Sequence, residues 1–170
     1  MMKLKDRIKG LERIRARELL PHPKNWRTHP REQRDALRGI LAEVGIADAL
    51  LVRRTKDGWQ ILDGHCRAEE APDVEWPCLV VDLSDAEAEK LIVTHDPIGA
   101  MAEADAETLR GLLDGFETEN DALAAMIGAL EWDAGLLGPG VAPDGKEYDE
   151  TIAEEVKKAT CPACGHEFPI

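Results

Sequence analysis

The 170-residue chain is short of aromatics: four Trp, two Phe and one Tyr. A core built from it must be mainly Leu, Ile, Val and Ala, and at this length one domain with appendages is expected. No apolar run reaches membrane-spanning length, and the opening "MMKLKDRIKG" has no apolar stretch of the signal-peptide kind. A soluble, cytoplasmic protein is therefore expected. Cysteine is also sparse, at four residues, and they do not form a disulfide framework. Internal repeats and low-complexity tracts are absent. So is a basic helix-turn-helix, which argues against site-specific DNA reading by this chain.

What is present begins with a lopsided charge. Residues 1–40 hold 12 Lys/Arg against 5 Asp/Glu, whereas residues 41–170 hold 9 against 29, and the whole chain carries -13. Two readings follow: a basic arm for an anionic partner such as DNA, or a solvated arm that neutralises its own acidic body. The acidic body argues against wrapping DNA over the whole surface.

Along the chain, "LERIRAREL" (11–19) alternates as a strand, with Ile14 and Ala16 on one face. "LPHPKNWRTHP" (20–30) has three prolines and predicts an extended loop. Residues 31–45 form an amphipathic helix through Leu37, Ile40, Leu41 and Val44, ended by Gly45. Strands are expected at 47–54 and 59–63 around the turn Lys56-Asp57-Gly58, then a short helix at 65–71. "PCLVVDL" (77–83) reads as a buried strand, and Ser84 with Glu87 forms a capping box for a helix through Leu91 and Ile92. His95 beside Asp96 offers a proton-transfer pair or a metal site, but adjacent side chains usually point apart and Pro97 follows, so a turn is expected there. Asp105 and Asn120 or Asp121 open two further helices. Residues 133–150, rich in Gly, Pro and Asp, read as a linker.

The chemistry gathers at "WQILDGHCRAEEA" (59–71), where a strand meets a helix. Unpaired amides at a helix start attract phosphate or carboxylate, and Gly64 lets an anion approach the backbone. Arg67 adds a guanidinium fork. His65 suits a donor, acid or ligand, and Asp63 suits an orienting group or a cation ligand. Cys66, beside Arg67 at a positive helix end, is expected to have a lowered pKa. The bland alternative is a tight connection whose arginine pairs with a nearby Glu.

"LPHPKNWRTHP", the helix ending at Gly45, "LLVRR…WQILDGHCRAEEA" and "PCLVVDLSDAEAEKLI" together resemble the ParB/sulfiredoxin superfamily domain, nearest its ParB-like nuclease branch. Asp63, Gly64, His65, Arg67, Glu69 and Ala71 match that branch's Asp-Gly-His-x-Arg-x-Glu-x-Ala. The resemblance covers about residues 11–95. It implies an α/β (α+β) fold with a small mixed sheet, followed by helices and a short tail. The resulting organisation is a ParB/sulfiredoxin-like domain at 11–97, a helical extension at 98–132, the linker, and a tail at 151–170.

In ParB proteins the matching turn, Gly-Glu-Arg-Arg-x-Arg, grips the phosphates of CTP; here Arg67 keeps the fourth position while Cys66 and Glu69 replace two arginines. In sulfiredoxins the turn is Gly-Cys-His-Arg. The swapped order of His65 and Cys66 argues against peroxiredoxin repair. The resemblance thus implies a site for CTP or ATP with Mg2+. Gly64, His65, Cys66 and Arg67 would hold phosphate, Asn25 and Arg27 would close the pocket, and Asp63 or Glu69 would carry the magnesium or activate water. It further implies a DNA-associated phage or mobile-element setting. The competing readings are a metal-dependent nuclease and an adaptor docking a DNA methyltransferase through residues 105–131.

The tail "CPACGHEF" (161–168) has the form of half a zinc ribbon, with Cys161, Cys164 and His166 as candidate Zn2+ ligands. Four ligands are needed. Either a homodimer shares the zinc, a further chain segment supplies the rest, or the knuckle is empty. A redox CxxC lacks a thioredoxin-like context.

Overall fold

In the computed structural model, residues 4–137, 158–160 and 167–169 are described. Contacts divide the chain into two units, Met1–Leu136 and Leu137–Ile170.

The first unit is built on five strands: β1 (Ile8–Arg15), β2 (Leu19–Leu20), β3 (Leu50–Arg54), β4 (Trp59–Asp63) and β5 (Glu75–Val81). They order as β1-β5-β3-β4-β2. The β1/β5 and β3/β4 pairs are antiparallel, whereas β3/β5 and β2/β4 are parallel, so the sheet is mixed as expected. Gly58, at φ +140°, closes the β3–β4 hairpin, where the Thr55 amide donates to its carbonyl. A 3-10 turn, Ala16–Glu18, separates β1 from β2, so the expected single strand over 11–19 is two strands with a corner.

Helices α1 (Arg31–Glu43), α2 (His65–Glu70) and α3 (Asp85–Gly99) complete this core. One apolar cluster joins Ile14, Leu50, Val52, Ile61, Ala68, Trp76 and Cys78, and Leu41 of α1 packs against it. A second joins Leu62 and Val81 to Ala88 and Ile92 of α3. Adjacent residues Ile61 and Leu62 thus serve different clusters, which follows from the two-residue strand period. Trp76, 1% exposed, sits at the centre of an otherwise largely aliphatic interior.

Helix starts follow their caps. The Ser84 amide donates to Glu87 Oε2 at 2.9 Å, completing the capping box, and Glu87 is held down to about 2, first by that bond. Helices α4 (Ala106–Leu113) and α5 (Asp121–Asp133) are capped by Asp105 and Asn120, whose side chains accept from the Thr108 and Leu123 amides. Gly45, at φ +85°, follows the end of α1. The turn expected at His95-Asp96 is absent. Helix α3 continues through Pro97 to Gly99, because a proline removes one interior hydrogen bond without ending every helix that contains it.

The N-terminal cations face acids of their own chain. Arg7 meets Glu87, Lys9 meets Asp82, Arg15 meets Glu75, Arg17 meets Asp73 and Lys24 meets Glu89. The self-neutralising reading of the charge asymmetry describes these residues. Such exposed pairs contribute little to stability, because water and salt screen them. Among the described residues, no helix is long and apolar enough to cross a membrane.

In the second unit, β6 (Lys158–Thr160) pairs antiparallel with β7 (Glu167–Pro169). Cys161, Cys164 and His166 lie outside the described residues.

Candidate functional site

Gly64 links β4 to α2 at φ +95°, a left-handed conformation open chiefly to glycine. A β-carbon here would overlap Leu50 Cδ2, and it would stand 3.3 and 3.4 Å from Arg67 Nη2 and Nε. The guanidinium therefore lies over the bare glycine. Among the described residues, no side chain caps the start of α2. Arg67 Nη2 donates to Asp63 Oδ2 at 2.8 Å, and Nη1 bonds Asp48. Asp48, in the segment before β3, has no local sequence signal that would have disclosed this partnership.

Next to Gly64, His65 is buried, and its Nε2 accepts from the His22 amide at 3.1 Å. His22 in turn accepts the Lys24 amide on Nδ1 at 3.1 Å, which assigns this buried histidine a role in holding the loop. Burial is the largest influence on both imidazoles and lowers both pKa values. Cys66 is a correction. Burial, with Glu70 adding to it, pushes its thiol up rather than down, because the side chain is packed away from water. The offsetting effect of Arg34 is smaller.

The Pro-rich loop comes to the same place. Asn25 Oδ1 accepts the Arg27 amide at 3.3 Å, a local turn, and the Asn25 amide donates to the His22 carbonyl. Arg27 bonds Asp96 of α3 and sits 5.4 Å above the Trp26 ring. His29 Nδ1 faces Gln33 Oε1 at 3.1 Å, while its Nε2 is buried and has no partner among the described residues.

These pieces border one cavity of about 850 Å3. Asn25, Arg27, Asp63, Gly64, His65, Cys66 and Arg67 all line it. Glu69 is not among the lining residues; it faces Arg34 at 3.8 Å. Its neighbour Glu70 is buried and bonds both Arg34 and Arg38. Opposite in character to the charged groups, Ala36, Leu37 and Ile40 of α1 and Leu123, Met126 and Ile127 of α5 supply apolar lining. Helix α5, which falls mostly within the stretch given above as a possible methyltransferase-docking surface, thus forms part of the cavity. His95 and Asp96 also line it, and with Asp63 they bring ligand atoms within 4.8 Å of one another. Neighbours on a helix are only about 100° apart, so two flexible side chains reach one point.

No family model matches the sequence, and no curated protein is similar to it. Solved structures do match. The C-terminally truncated chromosome-partitioning protein ParB from Caulobacter crescentus, complexed with CTP-gamma-S, superposes with a TM-score of 0.53 at 20% identity. The match covers 77% of this chain and 88% of that one. The chain shares the ParB fold. The same ParB complexed to the centromeric parS site matches at a TM-score of 0.42 and 18% identity, over 75% of this chain and 80% of that one. The ParB likeness agrees with the mixed five-stranded sheet and helices described above.

Proposed function

We propose that this chain binds a nucleotide, CTP or ATP, through its phosphates at the turn Gly64–Arg67, and acts in a DNA-associated phage or mobile-element system. The observation carrying this is the guanidinium of Arg67 lying over Gly64 at an uncapped helix start, beside a cavity of about 850 Å3. A polyphosphate there meets the free amides of α2 and the fork of Arg67. Asn25 and Arg27 close the loop side. The Caulobacter ParB of the same fold was crystallised with CTP-gamma-S, which supports a nucleotide as the ligand class.

The arginines are already paired, Arg67 with Asp63 and Asp48, and Arg27 with Asp96. Phosphate must exchange with those carboxylates. A magnesium ion arriving with the phosphates fits that exchange, since Asp63 and Asp96 offer the oxygen ligands such an ion prefers. The ion neutralises phosphate charge; the chain's part is to orient the phosphates and hold the loop over them. Substitution of two arginines of the ParB turn by Cys66 and Glu69 implies weaker clamping than in that motif.

Calorimetry with CTP, ATP and GTP, with and without magnesium, tests this reading. Wild-type protein should bind at least one nucleotide, and Arg67→Gln should lose most of the affinity while keeping its circular dichroism. Absence of binding to all three, or undiminished binding by the variant, rejects it. A second reading, metal-dependent cleavage of DNA, is favoured by the convergence of Asp63, His95 and Asp96. It predicts metal-dependent plasmid nicking, abolished by Asp96→Asn, in the absence of nucleotide binding.

A further inference from the structure

One cluster on the cavity adds an imidazole, which a nucleotide-borne magnesium does not need, to the carboxylates of Asp63 and Asp96. Asp63 ends β4, and His95 and Asp96 lie in the last turns of α3, so rigid elements present all three. Their ligand atoms lie within 4.8 Å of one another. We infer that Asp63, His95 and Asp96 form a site for a divalent transition-metal ion of the Mn2+, Co2+ or Zn2+ class, taken up in the absence of nucleotide.

The surroundings hold these ligands in place. Arg67 engages Asp63 through Oδ2, and Arg27 engages Asp96 through Oδ2. Among the described residues no hydrogen bond occupies Oδ1 of either carboxylate, so each keeps an oxygen for a cation. Partners that orient a ligand in this way are what a metal site needs beyond its ligands. His95 is exposed and lines the cavity, which gives the ion an entry path and leaves coordination positions for water.

Charge and donor type then select the metal. Two carboxylates beside two guanidiniums make a site of little net charge, so simple Coulomb attraction contributes little. Affinity must come from the ligand bonds themselves. Magnesium and calcium bind mainly oxygen, and magnesium gives up its water reluctantly. An imidazole joined to two carboxylates suits manganese, cobalt or zinc, with manganese held less tightly than cobalt.

The test uses Mn2+ alone, with no nucleotide, on the full chain carrying Cys161→Ser and Cys164→Ser so that the tail thiols cannot compete. Electron paramagnetic resonance reads free Mn2+, whose signal falls on binding. One Mn2+ per chain should bind, Co2+ and Zn2+ should displace it, and an equal concentration of Mg2+ should not. His95→Ala and Asp63→Asn should each weaken binding roughly tenfold or more, with thermal unfolding showing that each variant is folded. An undiminished Mn2+ signal with protein in excess overturns the inference. So does unchanged affinity in His95→Ala, or displacement by equimolar Mg2+. Because nucleotide is absent throughout, these results are independent of the phosphate reading.

Discussion

Asn120, the cap of α5, sits directly against Gly39 of α1: a β-carbon on that glycine would stand 2.5 Å from Asn120 Cγ and 2.9 Å from its Cβ. The same end of α5 is tied down by Thr118, whose hydroxyl donates to Glu43 Oε1 at 2.5 Å. Glycine inside a helix normally loses about 1 kcal/mol to alanine. Here Gly39→Ala should nevertheless destabilise, because overpacking costs about 1–3 kcal/mol and the near side of Asn120 cannot swing away. Urea unfolding checks this. Asn120→Ala should cost about 1 kcal/mol through the lost cap, and with Gly39→Ala the two losses should be less than additive.

Gly64→Ala should be the more damaging glycine change. It forces a left-handed residue, at about 1–2 kcal/mol, and overlaps Leu50, a fully buried side chain. Chemical denaturation should show a loss larger than that of Gly39→Ala. Gly10→Ala, where an added β-carbon would meet nothing within 4 Å among the described residues, is the control and should leave the midpoint nearly unchanged.

Acid should loosen the Pro-rich loop before it titrates the carboxylates. His65 and His22 have lowered pKa values in the fold and act as acceptors through ring nitrogens, which protonation removes. The unfolded chain then binds more protons than the native one, so stability is full above the unfolded value of about 6.5 and declines as pH falls below it. Urea midpoints measured from pH 7.5 to 5 should fall. His65→Asn, which keeps an acceptor without a titrating ring, should flatten the trend.

Neither core thiol should react readily. Cys66 and Cys78 are buried, and burial pushes Cys78 up to about 11. In a Cys161→Ser/Cys164→Ser background, Ellman's reagent should label the native protein slowly and both thiols at once in denaturant. Fast labelling of Cys66 would restore the activated-cysteine reading.

The elements legible in sequence are those whose signals are local. Ser84 and Glu87, Asp105 and Thr108, and Asn120 and Leu123 each sit three residues apart, so their bonds can be read from the chain. The strand-to-helix turn was legible for the same reason, through Gly64. Pro97 misled because a proline inside a helix carries the same local signal as one that ends it. Trp76 escaped the strand assignment, which began one residue later. The pairings of Asp48 with Arg67, Arg27 with Asp96, and His22 with His65 depend on the folded sheet bringing distant segments together, and nothing within a few residues announces them.

The pairing of the N-terminal cations has a consequence for any encounter with a polyanion. A lysine or arginine contributes to DNA affinity by setting free the counterions condensed on a phosphate. Arg7, Lys9, Arg15, Arg17 and Lys24 already have carboxylate partners in their own chain. Each must surrender one before it can take a phosphate, so the logarithmic dependence of DNA affinity on salt should be shallower than twelve basic residues in the first forty positions would suggest.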